Sequence, residues 1–376
     1  MIYSLMNAFT GVKVLALIRE FFPTFRALVF WPLFIVFCYS FILLYLLRLE
    51  RIQALRQTLI YTLPLMMYFF MSLLIMDAVM LAVRLFGKLT FPYTVGTGIA
   101  LALTIILMIY AHFHAKDIKT VCYSINLGKE AGPPLRAALI ADLHIGGNTD
   151  RKWLANIVDA VIRTEPDIIF IAGDIFETDM ANMLDQQGKT AELKRLSAPL
   201  GVYAVPGNHD VDSHSIRGSA STELIKEFLE NTGIVFLQDE VRLIDQRFYL
   251  AGRRDIRPIG GGLQRKTALE LVEGLDKSKP IFFMDHQPLD FRRIEEAGAD
   301  LIFSGHTHRG QFFPGNIATY FIFKRAGASN YGHWKGGSAQ GIITSGTSLW
   351  GPVLRLGTNS EVVVADIVFN SSGPHE

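Results

Sequence analysis

The chain has 376 residues, half of them apolar, and its two cysteines exclude both a disulfide framework and a cysteine-based zinc site. Charge is distributed unevenly along the chain. Residues 1–116 hold nine of the 36 Lys and Arg residues and three of the 35 Asp and Glu residues. Residues 117–376 hold the other 27 basic and 32 acidic residues. This acidic balance excludes a nucleic-acid-binding surface in the rear part, so no nucleic-acid partner is expected.

The front of the chain predicts helices that cross a lipid bilayer. Uncharged stretches at residues 27–47, 57–76 and 89–115 each approach or exceed the roughly 20 residues that a span needs. The alternative is buried helices of a soluble domain, but three such stretches in succession are typical of membrane proteins. Residues 1–25 are apolar but carry Lys13, which predicts an interfacial amphipathic segment, with a fourth span as the alternative.

These patterns predict an integral, multi-pass membrane protein with a transmembrane region of about three helices at residues 26–116. We expect the rear domain to be cytoplasmic, which the unpaired cysteines fit. The positive-inside rule gives no support, since the basic residues flanking the three spans divide six against five.

The rear part predicts a separate domain at residues 136–376. Residues 117–135 are polar and contain Gly132-Pro133-Pro134, so they predict a linker. Beyond them, apolar runs that end near residues 141, 171, 205, 284 and 304 predict strands, and helical patterns lie between several of these runs. This alternation predicts an α/β sandwich around a largely central sheet.

Residues of the types that bind metals follow five of the predicted strands. They are Asp142, His144, Asp174, Asn208, His209, His286, His306 and His308. Each cluster alone is more often structural, but their succession at consecutive strand ends favours a shared site. Oxygen and nitrogen donors without sulfur suit Mn, Fe, Zn, Ni or Co rather than Ca. Two such ions about 4 Å apart clamp the attacking and leaving oxygens of an in-line displacement.

The same residues resemble a known family. In order, Asp142-x-His144, Gly173-Asp174, Gly207-Asn208-His209-Asp210, His286 and Gly305-His306-x-His308 are similar to the motifs of the calcineurin-like metallophosphoesterases, over about residues 136–368. Arg309-Gly310-Gln311 and Ser345-Gly346-Thr347 resemble the membrane-anchored branch that includes transmembrane proteins with a metallophosphoesterase domain. The resemblance implies a calcineurin-like α/β sandwich with central mixed sheets, here preceded by an all-α transmembrane region.

The resemblance also implies roles for single residues. The first metal would be held by Asp142, His144, Asp174 and His308, and the second by Asp174, Asn208, His286 and His306. The two divalent ions would be Mn, Fe or Zn, with Asp174 as the bridge. A hydroxide bridging them would attack phosphorus, and His209 would act as general acid, oriented by Asp210. Arg309 is added as a candidate substrate-binding residue, because its guanidinium suits a phosphate oxygen.

The resulting hypothesis is a membrane-anchored phosphoesterase that hydrolyses phosphodiesters, with lipid-linked or nucleotide substrates and a lipid bilayer as partner. One alternative is a non-catalytic membrane scaffold or regulatory protein that uses the same fold. Against it, every ligand position is filled. A transporter or channel with a regulatory domain is the other alternative. Three predicted spans with one carboxylate, Asp77, and no paired charges argue against it.

Overall fold

The computed structural model describes residues 1–47, 52–87, 90–146, 149–177, 183–211, 219–256 and 265–369. It divides into two compact units, Met1–Phe113 and His114–Glu376. Each unit is described by itself.

The first unit is helical. Its helices are α1 (Ile2–Phe21), α2 (Ala27–Cys38), α3 (Ser40–Leu46), α4 (Gln53–Leu59), α5 (Thr62–Phe86) and α6 (Tyr93–Ala115), of which the last extends into the second unit. Among the described residues, three helical segments are long and apolar enough to cross a membrane: Ile2–Phe21, Leu55–Phe86 and Tyr93–Ala115.

This set differs from the three predicted spans. The stretch 27–47 is interrupted at Tyr39 between α2 of 12 residues and α3 of seven, each shorter than a bilayer crossing. Instead α1, predicted to lie in the interface, has 20 residues and the length and hydropathy of a span. The second and third predicted spans coincide with α5 and α6, although Leu89 at the start of the third lies outside the described residues.

A charged pair joins two of these helices. Lys13 of α1 donates to both carboxylate oxygens of Asp77 of α5, at 2.7 and 2.8 Å. The expectation that the apolar helices hold no paired charges is therefore wrong. Apolar surroundings strengthen the attraction between two opposite charges, so this pair fixes α1 against α5. It also removes one of the arguments against a transporter.

The second unit contains two six-stranded mixed sheets. Its strands are β1 (Ile118–Leu127), β2 (Leu135–Ile140), β3 (Ile168–Ala172), β4 (Val202–Val205), β5 (Ile234–Phe236), β6 (Glu240–Ile244), β7 (Phe248–Gly252), β8 (Ile281–Met284), β9 (Leu301–Ser304), β10 (Gly332–Lys335), β11 (Gln340–Ile343) and β12 (Ser360–Phe369). The first sheet has the order β1-β12-β2-β3-β4-β5 and the second the order β10-β11-β9-β8-β7-β6.

Both sheets pack face to face around one core. Phe170 of β3 and Phe303 of β9 meet in it, with ring centroids 4.6 Å apart. Helices α7 (Arg151–Ile162), α8 (Gln186–Leu193) and α10 (Ser219–Glu230) cover the outer face of the first sheet, and α11 (Ala268–Val272) and α12 (Phe291–Glu296) cover that of the second. Strands buried on both faces explain the continuous apolar runs of the sequence. The predicted α/β sandwich is confirmed.

The predicted linker at 117–135 is wrong over most of its length. It contains β1, which pairs in parallel with β12 along ten residues, from Ile118 with Ser360 to Leu127 with Phe369. Polar Lys119, Thr120 and Ser124 lie at this outermost strand of the sheet, where one side faces solvent, so the apolar signal of a central strand is missing. The ordered domain therefore begins near residue 114 rather than 136.

Two further elements follow the last predicted metal ligands. A 3₁₀ turn spans His308–Gly310, and helix α13 spans Gly315–Arg325, which the sequence did not predict. The other short helix that the sequence missed, α9 (Asn208–Val211), begins directly at a candidate ligand.

Candidate metal centre

The carboxyl ends of the central strands of both sheets meet at one edge. Strands β2, β3 and β4 are parallel neighbours, as are β8 and β9, so the loops after them leave in common directions. Hydrogen bonds join these loops: the amide of His306, after β9, donates to the carboxylate of Asp142, after β2, at 3.1 Å. The strand ends that the sequence singled out therefore come together in space.

The first cluster consists of Asp142, His144 and His308. Their candidate ligand atoms lie within 4.8 Å of one another, and all three residues are buried. The Nε2 atoms of His144 and His308 are 3.1 Å apart, and Nε2 of His308 is 3.5 Å from Oδ1 of Asp142. These are three of the four residues that the resemblance implies for the first metal.

The second cluster consists of Asp174, His286 and His306, again with candidate ligand atoms within 4.8 Å. Nδ1 of His286 donates to the carbonyl oxygen of Ala172 at 2.6 Å, which leaves its Nε2 facing Oδ2 of Asp174 at 3.2 Å. A histidine fixed through one nitrogen presents the other as a ligand. Among the described residues, Asp174 falls in this cluster alone, so its bridging role stays a prediction.

The donor set fits divalent transition metals. In the described part of the chain, Oδ1 of Asn208, Nε2 of His286 and Nδ1 of His308 are buried without a hydrogen-bond partner. Burying such atoms unpaired costs about 1–3 kcal/mol each, so their gathering at one site needs a compensating partner. A divalent cation bound by the carboxylate, amide and imidazole groups would be that partner. Because these groups offer oxygen and nitrogen but no sulfur, the site suits Mn, Fe or Zn.

The backbone at the ligands is strained. Five of the seven predicted ligands have positive φ, namely Asp142, His144, Asp174, His306 and His308, with values from 45° to 74°. Non-glycine residues adopt this region seldom, and such strain persists where function requires it. The strain turns each side chain toward the shared edge of the sheets, which an extended strand end would not do.

Two glycines leave room for the ligands. Gly173 has φ of +86°, and a Cβ there would lie 2.6 Å from Nδ1 of His286. A Cβ at Gly207 would lie 2.2 Å from the amide nitrogen and from Oδ1 of Asp174. No larger residue fits either position without moving a ligand, so both turns require glycine for a steric reason.

His209 lies beside the first cluster and is half-exposed. Its ring meets that of His144 edge to face, with centroids 4.9 Å apart, and its amide donates to Oδ1 of Asp174 at 2.8 Å. Burial lowers the pKa of His209, although the carboxylates of Asp174 and Glu177 oppose the shift. The imidazole therefore stands next to the candidate ligands without belonging to either predicted metal shell.

The predicted orienting role of Asp210 is wrong. Its carboxylate accepts the backbone N–H groups of Gly207, Ile175 and Phe176 at 2.8 to 3.1 Å, so it fixes the loop rather than the His209 ring. Burial, together with the charge of Asp174, raises the pKa of Asp210 to about 7.

Glu177 occupies the place that was assigned to Asp210. Its Oε2 is 2.7 Å from Nδ1 of His144 and 3.3 Å from Nδ1 of His209. The sequence analysis missed this residue. Its position, three residues after Asp174 in the loop that follows β3, was the available signal.

Charges within the clusters shift several pKa values. Burial alone would lower the pKa of His144, but the hydrogen bond and charge of Glu177 outweigh it and raise the pKa to about 9. Burial would also lower the pKa of His286, but Asp174 outweighs burial and holds this pKa well above its usual value. Burial raises the pKa of Asp142 to about 6. Burial alone would raise the pKa of Asp174. The hydrogen bond and charge of His286, together with the neighbouring histidines, outweigh burial and hold this pKa far below its usual range.

Arg309 lies with its guanidinium carbon 4.1 Å from the ring centroid of Tyr331, whose hydroxyl donates to Glu361 at 2.9 Å. This stacking fixes the side chain, and a substrate-binding role for Arg309 stays a prediction.

A second arginine that the sequence analysis gave no role, Arg355, is fully buried and donates to the carbonyl oxygens of His308, Ser345 and Ser348. It thereby holds the loop of a candidate ligand.

Comparisons with known proteins agree with this geometry. The family model described as calcineurin-like phosphoesterase matches residues 135–310. An uncharacterized metallophosphoesterase of Campylobacter jejuni is 27% identical over 309 residues, which cover 80% of this chain and 78% of that protein. The transmembrane protein with metallophosphoesterase domain of Bos taurus is 30% identical over 239 residues, 61% of this chain and 52% of that protein.

The chain thus spans about half the length of the bovine relative. Among solved structures, a putative 5'-nucleotidase from Staphylococcus aureus is similar over 65% of this chain and 56% of its own, with 14% identity and a TM-score of 0.39. A similarity of that degree carries no argument about function.

Proposed function

We propose, from the match of residues 135–310 to the family model described as calcineurin-like phosphoesterase, that the chain is a membrane-attached, metal-dependent enzyme that hydrolyses phosphodiesters. The observation that carries the proposal is the pair of clusters Asp142-His144-His308 and Asp174-His286-His306, in which all residues but His306 are buried, with Asn208 and His209 beside them. The names of the relatives indicate the same class of metal-dependent phosphoesterase.

The side chains divide into metal ligands and a proton donor. Asp142, His144 and His308 would hold one divalent ion, and Asn208, His286 and His306 the other, with Asp174 shared between them. When bound, such a pair of ions supplies Lewis acidity toward the phosphate and lowers the pKa of a bound water.

His209 would protonate the leaving oxygen. It stands outside both ligand sets, and a lowered pKa makes its imidazolium a stronger acid. Glu177 would position both His209 and His144, since its carboxylate lies within 3.3 Å of a nitrogen of each ring. Arg309 would bind a phosphate oxygen or a headgroup from its place over Tyr331.

The proposal includes attachment to the membrane by several spans, with the phosphoesterase domain on the cytoplasmic side. Three long apolar helices and the transmembrane relatives support membrane attachment. Cys38 and Cys122 are both free thiols, which fits a reducing compartment. A site held near a bilayer favours lipid-linked phosphodiesters as substrates, with nucleotide phosphodiesters as the other class.

The full chain, purified in detergent, tests the activity. We expect about two equivalents of Mn, Fe or Zn by elemental analysis and turnover of bis(p-nitrophenyl) phosphate. Asp174→Asn should lose both metal and turnover, because a shared carboxylate serves both ions. Asp276→Asn, which changes an exposed carboxylate that bonds Ser278, is the matched control. Metal-replete protein with no turnover of alkyl, aryl, lipid or nucleotide phosphodiesters would refute the enzymatic proposal.

A further inference from the structure

Helix α13 presents an apolar surface that nothing in the described chain covers. None of its residues is buried, and Ile317, Tyr320, Phe321 and Ile322 are exposed by 45, 47, 61 and 64%. Ile317, Tyr320 and Phe321 follow an i, i+3, i+4 spacing, so they lie on one face of the helix. Contiguous exposed apolar side chains of this size mark an interaction surface in proteins.

An exposed aromatic side chain lies on a loop that is bonded to the segment before α13. Gln311, just before the helix, donates from Nε2 to the carbonyl oxygen of Trp350 at 2.8 Å and accepts the Trp350 amide at 2.9 Å. Trp350 itself is 51% exposed. Tryptophan and tyrosine rings are enriched at the boundary between lipid and water, where an apolar ring and a polar edge are both satisfied.

The sequence on both sides of α13 carries charge of one sign. No Asp or Glu occurs between Asp300 and Glu361, although the domain as a whole has more acidic than basic residues. Lys324 and Arg325 end the helix, and Arg309 precedes it. A basic, acid-free segment that contains an apolar helix face matches an anionic lipid surface and would be repelled by a cationic one.

The start of α13 lies close to the point where the chain enters the second unit. His114 and Ala115, the last residues of the candidate span α6, bond Thr358 and Ser360 at 3.2 and 2.8 Å. The same loop bonds the segment just before α13, since the amide of Phe313 donates to the carbonyl oxygen of Leu356 at 2.9 Å. The last residues of α6 and the segment before α13 are therefore bonded to the same loop, at residues 356–360.

We propose that the exposed face of α13, with Trp350, docks on the lipid bilayer and places the metal centre at the membrane surface. The proposal rests on the proposed membrane attachment but not on hydrolysis. Because α13 begins seven residues after His308, docking would present a headgroup phosphate directly to the candidate ligands. The substrate would then come from the bilayer, as a phosphodiester with a lipid moiety.

A lipid-quenching experiment on the full chain tests this surface. Cys38 and Cys122 are replaced by serine, and one cysteine is introduced at a time by Phe321→Cys, Ile106→Cys or Leu269→Cys. Each protein is labelled with the fluorophore NBD and reconstituted in nanodiscs of phosphatidylcholine and phosphatidylglycerol, one copy per disc. Ile106 reports membrane attachment, since it is exposed on α6, and Leu269 is an exposed apolar control on α11.

We expect spin-labelled lipid to quench the probes at 321 and 106 to similar extents and to leave the probe at 269 bright. Quenching at 106 but not at 321 overturns the docking proposal while leaving membrane attachment intact. No quenching at 106 refutes attachment and docking together. A blue-shifted but unquenched probe at 321 assigns the surface to protein contact and also overturns the proposal.

Discussion

Replacement of Glu177 by glutamine is the most informative single change at this site. The carboxylate lies 2.7 Å from Nδ1 of His144 and 3.3 Å from Nδ1 of His209, so it serves a candidate ligand and the proposed acid at once. Glutamine keeps the size of the side chain and removes its charge. The perturbation therefore tests orientation and electrostatics without opening a cavity.

The expected magnitude follows from the two contacts. Loss of a carboxylate that orients a metal-bound histidine typically costs 10- to 100-fold in metal affinity or activity. For the rate this is about 1.4–2.7 kcal/mol of transition-state stabilisation. Because His209 loses the same partner, metal-replete Glu177→Gln should lose more kcat/KM on alkyl phosphodiesters than on nitrophenyl esters, whose leaving group needs no proton.

The assay measures metal content and kcat/KM for both substrate classes, each on protein saturated with Mn²⁺. Glu240→Gln is the matched control, because Glu240 pairs with Lys226 and Arg242 at the surface of β6. If Glu177→Gln has the same metal affinity and the same kcat/KM as the control, Glu177 has no positioning role. An equal loss on both substrate classes would restrict that role to His144.

Three further outcomes are expected. His209→Ala should retain its metals and lose about 10²–10⁴-fold on alkyl phosphodiesters but less on nitrophenyl esters; loss of metal would instead make His209 a ligand. Apparent metal affinity should rise with pH up to about 9, because a protonated imidazole cannot bind a metal and the pKa of His144 is raised to about 9. Calorimetry in buffers of different ionisation enthalpy should detect the released protons, and affinity independent of pH would contradict the assigned pKa. Gly207→Ala should lower metal content and melting temperature, since its Cβ would lie 2.2 Å from Asp174, whereas Gly128→Ala has open space and should change neither.

The ligand positions could be read from the sequence because each depends on a local pattern. An apolar run that ends in Asp142 and His144, or in His306 and His308, specifies both a buried strand and the polar residues that leave it. Parallel strands direct such ends to one edge. For this reason the two clusters contain six of the seven predicted ligands, and β8 (Ile281–Met284) and β9 (Leu301–Ser304) end where the sequence predicted.

Contacts between distant segments were decided by tertiary structure alone. Which carboxylate faces His209 depends on how the loops after β3 and β4 pack, and here Glu177 reaches the ring while Asp210 turns to backbone amides. Strand β1 interrupts its apolar residues with polar Lys119, Thr120 and Ser124, and its pairing with β12, more than 200 positions away, makes it a strand. Composition likewise did not indicate that residues 27–47 divide at Tyr39 or that α13 lies at the surface. Hydropathy and turn chemistry act over a few residues, whereas the partners of a side chain are chosen by the packing of the whole domain.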